Sequence, residues 1–257
     1  MTATALRIRL VAAPLVFGAL FLVLWQLVVT AFDLKPYVVP GPLSIWQQLT
    51  NFVGNIFSAS LLTARNALVG LAIGVLVGLV WAAVASAVRV VREASAPVVL
   101  ALSVVPIVAL APVLYTMFGA SAQTARVMVA AIAVYVPIYL NTLRGLQTVA
   151  PIHRDLMQVY AASGWQTVRA VTLPGALPFF FTGLGIASSL SVISALVAEY
   201  FGGPVDGLGK AITSAVSSSQ YALAWAYVVG AVLTGLAFFV VTSAIDRIAL
   251  RNHPTSA

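Results

Sequence analysis

Apolar residues are concentrated in six long runs, each bounded by polar residues, glycine or proline. A helix needs about 20 mostly apolar residues to cross roughly 30 Å of hydrocarbon, and these runs have about that length. The pattern predicts an all-α, polytopic membrane protein with about six transmembrane helices. The predicted spans are residues 11–32, 62–88, 96–118, 127–143, 179–198 and 222–245.

The composition supports a membrane protein. Hydrophobic residues make up 61% of the 257 residues and charged residues 7%, whereas soluble domains have about 45–50% and about 25%. Such an excess excludes a water-soluble fold, because the surface left over would be apolar. The first run is predicted to be retained, since Asp33-Leu34-Lys35-Pro36 follows it instead of a small-residue cleavage site. We expect a single transmembrane domain over residues 1–257.

The positive charges predict the orientation. With the N-terminus inside, the inner segments hold nine of the 13 Lys and Arg residues, and the outer segments hold Lys35, Arg65, Arg126 and Lys210. Cytoplasmic loops carry the excess of Lys and Arg, so both termini are predicted to be cytoplasmic. The net charge of +7 is then interpreted as cytoplasmic edge charge, with no nucleic-acid partner.

Gly70, Gly74 and Gly78 recur every four residues in the second predicted span. Residues at this spacing lie on one helix face, and small side chains let two helices approach closely in lipid. The stripe predicts static close packing, with a sliding or hinging seam as the alternative.

Prolines interrupt the third and fourth predicted spans, at Pro106, Pro112 and Pro137. Each interior proline deletes a backbone hydrogen bond. Because a freed carbonyl must face protein or water, these prolines favour helices that line a cavity, with simple kinks as the alternative.

Polar side chains in the fifth predicted span are candidates for a substrate path. Ser188, Ser191 and Ser194 could bind a solute, but each could equally bond to a neighbouring helix or its own backbone. Glu199 is one of six acids and is expected near the outer interface, hydrogen-bonded or paired with Lys210 or Arg126, or simply solvated. The predicted path comprises Pro106, Tyr135, Ser188, Ser191, Ser194 and Glu199.

The sequence offers no internal energy source for transport. Lys, Arg, Asp and Glu fall at or near the ends of the predicted spans, which argues against ion coupling. The segment from Gly203 to Lys210 resembles a phosphate loop, but its spacing is wrong and Ala211 replaces the required Ser or Thr. No metal or catalytic constellation is apparent, so we predict no enzyme activity. A passive channel and a permease driven by another subunit both remain.

The inner segment at about residues 150–178 contains two short amphipathic stretches that are predicted to break near Ser163-Gly164. Leu173-Pro174 is expected to stop the second stretch. Bulky apolar groups on such a segment predict a protein partner, unless the segment packs under its own bundle.

This segment resembles the EAA loop of permease subunits of bacterial ATP-binding-cassette (ABC) importers. Aligned on Trp165 and on Leu173-Pro174, Asp155 occupies the position of the family's Glu and Ala161 that of its Gly. The resemblance extends over about residues 38–250, including Pro40-Gly41-Pro42 and Ala198-Glu199-Tyr200-Phe201-Gly202-Gly203. These motifs are similar to the branch that handles sulfonates, taurine, nitrate and thiamine-precursor pyrimidines.

The resemblance implies a permease in the bacterial cytoplasmic (inner) membrane. Its implied partners are two ATPase subunits that hold ATP and Mg²⁺, a second permease (another copy or a homologue) and an extracytoplasmic binding protein. The permease itself then binds no cofactor directly. The implied ATPase-docking residues are Asp155, Tyr160, Ala161, Ala162, Ser163, Gly164, Trp165, Leu173 and Pro174. A passive channel or stand-alone carrier is the main alternative.

Overall fold

A computed structural model describes residues 3–119, 122–148, 151–202 and 207–251 of the chain. These residues form helices joined by short connections, and the described part contains no strand. The α-helices are α1 (Ala3–Ala31), α2 (Pro42–Asn51), α3 (Val53–Ala87), α4 (Arg89–Val104), α5 (Ile107–Phe118), α6 (Gln123–Gln147), α7 (Pro151–Val159), α8 (Gly164–Thr167), α9 (Leu173–Phe201), α10 (Leu208–Ser217) and α11 (Tyr221–Leu250).

Long apolar helices confirm five of the predicted spans. They cover Ala12–Ala31, Val53–Ala87, Gln123–Gln147, Gly164–Phe201 and Tyr221–Leu250, with α4 and α5 together as a possible sixth. Helix α3, which forms the second predicted span, begins at Val53, nine residues before the predicted start of that span. Its first turns lie beyond the apolar run, so hydropathy alone could not find them.

The third predicted span is formed by two helices with a break at one of its prolines. It consists of α4 and α5, which bend by 103° at the break between them. The break falls at Val105-Pro106, where both residues have extended backbone angles. Proline disfavours the helical conformation of the residue before it and lacks the N–H that would continue the helix. Pro97 and Pro112, in contrast, lie inside α4 and α5.

The expected end of the second amphipathic stretch at Leu173-Pro174 is wrong. A π-helical segment, Val168–Thr172, joins α8 directly to α9, so that one continuous helix runs from Gly164 to Phe201. At the end of this segment the Leu173 N–H donates to the Val168 carbonyl, five residues back. Pro174 then lies in the first turn of α9, where the φ angle fixed by its ring suits the helix.

The glycine stripe of α3 packs directly against α6, which confirms the close approach predicted from the spacing of the glycines. A Cβ atom on Gly74 would lie 2.6 Å from the Ala131 carbonyl oxygen, and one on Gly78 would lie 2.7 Å from Ile138. No side chain fits between the two backbones at these positions. On its other side α6 packs against α9, and these three helices form the centre of the bundle.

The remaining helices surround this centre. Helices α10 and α11 pack on each other and on α9, and α2 packs on α11. Helix α1 joins the bundle near its C-terminal end, where the Trp25 and Trp225 rings meet edge to face at 5.6 Å. Many large apolar side chains on α1, α3 and α11 face outward, as expected of helices that contact lipid. We call the two ends of the bundle the Glu199 end and the Trp165 end, after one residue at each.

Candidate functional site: a buried polar network and an exposed helix pair

Glu199 is fully buried at the C-terminal end of α9. Its carboxylate accepts three hydrogen bonds: from the Thr63 hydroxyl at 2.7 Å, the Gly209 N–H at 3.2 Å and the Asn66 amide at 3.3 Å. The Thr63 hydroxyl also accepts from the Leu208 N–H at 2.9 Å. Three donors converge on the two oxygens, so both oxygens of this buried side chain are satisfied. The carboxylate therefore fixes the start of α10 against α3 and α9.

A buried arginine, Arg126, lies in the same network. Arg126 of α6 is fully buried and donates to the Gln123 side-chain oxygen at 2.9 Å and to the Tyr115 hydroxyl at 3.3 Å. The same Gln123 oxygen accepts from the Asn66 amide at 2.9 Å. Gln123 and Asn66 therefore connect the guanidinium to the carboxylate of Glu199 through hydrogen bonds rather than a direct ion pair.

These contacts correct the expectations for Glu199. Among the described residues the ion pairs are Lys35–Asp33 and Arg89–Glu93, and neither Lys210 nor Arg126 pairs with the carboxylate. The solvated alternative is also wrong, because Glu199 has no exposed surface. Buried polar groups are costly unless they are hydrogen-bonded, so the bonds of the network hold its helices in one geometry. The network joins α3, α5, α6, α9 and α10 at the Glu199 end. The Arg126 Nη2 atom is buried and has no partner among the described residues.

The three candidate serines lie on the buried side of α9. Ser188 contacts the Thr242 hydroxyl at 3.0 Å, and Ser191 donates to the Ser188 carbonyl oxygen at 2.8 Å. Ser194 is also buried, and its hydroxyl has no hydrogen-bond partner among the described residues. Tyr135 lies on α6 with its ring stacked on Tyr139 at 5.7 Å. The serines and Tyr135 therefore occupy different helices, and Ser188 packs as a helix–helix contact.

Pro106 lies at the helix break, next to a cavity of about 290 Å³. Leu102, Val105 and Leu110 line it from the two broken helices, and Pro137 and Asn141 line it from α6. Pro137 lines this cavity, whereas Pro106 and Pro112 are not among its described lining residues, and the 103° bend at Pro106 is the kink that the alternative predicted.

At the Trp165 end, α7 and α8 present large apolar side chains to the surface. The exposed fraction is 81% for Val159, 73% for Tyr160 and 69% for Trp165. Asp155, Ser163, Gly164 and Leu173 are also exposed, and Ala162 and Pro174 are half-buried. The alternative that this segment packs under its own bundle is therefore wrong for its largest side chains.

The chain reverses sharply between α7 and α8. Ala161 has a φ of 49°, in the left-handed region that favours glycine. The Ala161 N–H donates to Gln158 and the Ala162 N–H to Met157, both at 2.9 Å, which is a Schellman ending of α7. Ser163 then caps α8 in a reciprocal pair with Gln166. Ala161, the residue aligned with the glycine of the EAA loop, thus has a backbone conformation that glycine adopts without steric cost.

One helix connects the exposed segment with the buried network. Trp165 and Glu199 lie near opposite ends of the continuous helix Gly164–Phe201. At 1.5 Å per residue, the 34 positions between them correspond to about 50 Å. A displacement of the exposed segment would therefore act directly on the element that carries Glu199.

Sequence reasoning missed most of the network around Glu199. Thr63, Asn66, Tyr115 and Gln123 were not singled out, and Arg126 was expected only as an outer cation. The available signal was polarity within or next to apolar runs, since Thr63 and Asn66 fall inside the second predicted span. Their partner Glu199 is 136 residues from Thr63 along the chain, so only the fold brings them together.

Comparisons with known proteins agree with this architecture. The family described as "Binding-protein-dependent transport system inner membrane component" matches residues 74–252. A probable ABC transporter permease protein of Haemophilus influenzae is 30% identical, over 86% of this chain and 89% of that protein. The riboflavin transport system permease protein RibX of Chloroflexus aurantiacus is 30% identical, over 90% of this chain and 87% of that protein. The formylaminopyrimidine transport permease protein ThiX of Halalkalibacterium halodurans is 29% identical, over 76% of this chain and 78% of that protein.

The fold also matches a solved structure, a crystal structure of an amino acid ABC transporter with histidines. The TM-score is 0.65 over 77% of this chain and 96% of that one, at 17% identity, so the likeness concerns the fold. The family match covers more than half of the chain, and two relatives are 30% identical over most of their length. The chain belongs to the family of binding-protein-dependent transport system inner membrane components and is a multi-pass permease subunit of an ABC importer.

Proposed function

We propose that this permease works in pairs and that each copy docks one ATPase subunit through the segment Asp155–Trp165. The second permease of the pair is another copy of this chain or a homologue. ATP and Mg²⁺ bind to the ATPase subunits, and the permease holds neither. An extracytoplasmic binding protein delivers the solute at the Glu199 end.

The observation that carries this proposal is the exposure of Val159, Tyr160 and Trp165. Large aromatic side chains are the usual centres of protein–protein interfaces, because they bury much area in a few rigid contacts. These three lie on a connection between two membrane helices, on either side of a reversal fixed by Ala161 and Ser163. A rigid, apolar projection of this kind suits insertion into a groove of a partner protein.

The continuous helix supplies the coupling. Closure of the ATPase pair would displace Trp165, and the helix Gly164–Phe201 would carry that displacement to Glu199 and α10. The bundle then alternates between two states whose populations the nucleotide biases. In this mechanism Glu199 positions α10 and does not itself react.

The orientation follows from the same assignment. The Trp165 end faces the cytoplasm of a bacterium, both termini are cytoplasmic, and the Glu199 end faces outward. The surplus of Lys and Arg in the predicted inner segments supports this orientation. The membrane is the cytoplasmic (inner) membrane.

The transported solute is small and polar, of the kinds for which the relatives are named. Those names include riboflavin, formylaminopyrimidine, nitrate, aliphatic sulfonates and taurine. Pro106, Tyr135, Ser188, Ser191, Ser194 and Glu199 remain the predicted pathway residues. Cysteine labelling at Ser191 and Ser194 in different nucleotide states tests this, because the natural chain has no cysteine.

The docking assignment is tested by co-purification with the ATPase subunit of the same importer. Trp165→Glu is compared with Trp46→Glu, since Trp46 is similarly exposed, at 62%, but lies on α2. We expect Trp165→Glu to reduce the recovered ATPase by at least about tenfold, because the loss of one central interface residue costs about 2 kcal/mol of binding free energy. Trp46→Glu should retain the ATPase.

Equal recovery of the ATPase with both variants would contradict the docking assignment. The rival function, a passive channel or stand-alone carrier, is tested in liposomes that contain the permease alone. Solute flux there without ATP would favour the rival over an ATP-driven importer.

A further inference from the structure

A second cavity, larger than the one beside Pro106, opens at the Glu199 end between α3, α10 and α11. Its volume is about 630 Å³. We propose that it is a binding site for an uncharged, hydrogen-bonding solute on its way through the permease. This inference rests on the proposed function and narrows the class of substrate: it favours neutral solutes such as nitrogen heterocycles or amides over anions.

The lining of the cavity combines polar and apolar side chains and carries no charge among the described residues. Hydroxyl and amide groups come from all three helices and from the turn before α11. The polar lining residues are Asn55, Ser58, Ser214, Ser218, Gln220 and Tyr227. Amides offer both donors and acceptors, which match the N–H and C=O edges of a heterocycle, and Tyr227 adds an aromatic surface. A volume of this size lies within the range of about 300–1,000 Å³ that is usual for small-molecule sites.

The Glu199 side chain lies behind one part of the cavity wall. Gly207 lines the cavity, and a Cβ atom on it would lie 2.5 Å from the Glu199 carboxylate, so this carboxylate sits directly behind the wall. Arg65 and Lys210 lie on the same helices as lining residues, but neither is itself a lining residue. An anion in the cavity would therefore face the Glu199 carboxyl group, and the described lining residues include no cation to offset it.

The wall formed by α10 is held rigidly. Gly207, Ala211 and Ser214 recur along one face of α10, and the start of this helix is bonded to Glu199 and Thr63. A site whose wall is fixed before the solute arrives loses less freedom on binding. The buried network thus prepares the cavity as well as joining the helices.

The test uses single cysteines in this naturally cysteine-free chain, purified with its ATPase in nanodiscs of zwitterionic lipid. Ser214→Cys places the thiol in the cavity wall, and Ser217→Cys places it on the exposed side of the same helix as the matched control. Each is treated with neutral methyl methanethiosulfonate and with the anionic sulfonatoethyl reagent. Ser58→Cys, on α3, repeats the measurement from the opposite wall.

For each variant the labelling rate with the neutral reagent is divided by the rate with the anionic reagent. We expect this ratio to be at least about threefold larger for Ser214→Cys than for Ser217→Cys. Thymine or nicotinamide should slow the labelling of Ser214→Cys and leave Ser217→Cys unchanged, whereas nitrate and methanesulfonate should protect neither. An equal or reversed reagent preference, protection by the anions, or no protection by either neutral probe would overturn the inference. Labelling needs no ATP, and all of these variants keep Trp165. The labelling results therefore do not depend on the ATPase recovery of Trp165→Glu, which tests the proposed function.

Discussion

Replacement of Glu199 tests whether the buried network holds the Glu199 end together. Glu199→Ala removes the acceptor of three hydrogen bonds and leaves the Thr63 hydroxyl and the Gly209 N–H without it. Hydrogen bonds to charged groups contribute about 1.5–3 kcal/mol in soluble proteins, but bonds between membrane helices average about 0.6 kcal/mol. Three bonds therefore sum to between about 2 and 9 kcal/mol, and we expect a loss near the lower end, about 3 kcal/mol.

Glu199→Gln is the matched variant. Its amide oxygen can replace Oε2, which accepts from both Thr63 and Gly209, so these two bonds survive. Its NH₂ group would face the Asn66 amide, which donates to Oε1 at 3.3 Å, so this one bond is lost. Asn66 cannot turn its oxygen to the new donor without losing its bond to Gln123. We expect a loss of about 1 kcal/mol.

The assay is reversible unfolding in mixed micelles, with the free energy of unfolding compared among wild type, Glu199→Gln and Glu199→Ala. The account predicts a graded order, with the Ala variant losing about three times as much as the Gln variant. Proteolysis at the start of α10 should increase in the same order. Two variants with equal stability, or an Ala variant as stable as the wild type, would refute the reasoning.

Two further predictions concern backbone positions. Ala161→Gly should stabilise the reversal between α7 and α8 by about 1 kcal/mol, because glycine adopts positive φ without the steric cost of a Cβ. Slower proteolysis or hydrogen exchange at the reversal would show this, with Ala162→Gly as the control, and faster exchange in Ala161→Gly would contradict it. Gly74→Ala should destabilise the bundle by about 1–3 kcal/mol, because its Cβ would lie 2.6 Å from the Ala131 carbonyl oxygen. In the same unfolding assay Gly185→Ala, whose Cβ meets no atom within 4 Å, should have little effect, and equal effects of the two variants would exclude the close-packing explanation.

The sequence predicted those features that depend on local pattern. Apolar runs located five long helices, and the spacing of Gly70, Gly74 and Gly78 identified the face of α3 that meets α6. The break within the segment at about residues 150–178 was also predicted close to its place, because Ser163 and Gly164 are a helix-start signal. In each case the deciding interaction lies within a few residues or on one helix face.

Features that depend on hydrogen-bond geometry or distant partners could not be predicted in this way. Pro106 and Pro174 both lack an N–H. The helix breaks at Pro106, but at Pro174 it continues, because a π-helical turn precedes this proline. The sequence shows the missing donor but not which carbonyls the surrounding helices can satisfy. Similarly, Arg126 and Glu199 are ordinary charges in the sequence, and only the fold places Gln123 and Asn66 between them.

The central claim, that an ATPase docks on the segment Asp155–Trp165, is tested most directly by cross-linking in intact membranes. Trp165→Cys and Trp46→Cys each place one thiol on an exposed tryptophan position of this cysteine-free chain. After treatment with a short thiol-to-amine cross-linker, the account predicts a permease–ATPase product from Trp165→Cys and none from Trp46→Cys. No product from Trp165→Cys, or the same product from both variants, would contradict it.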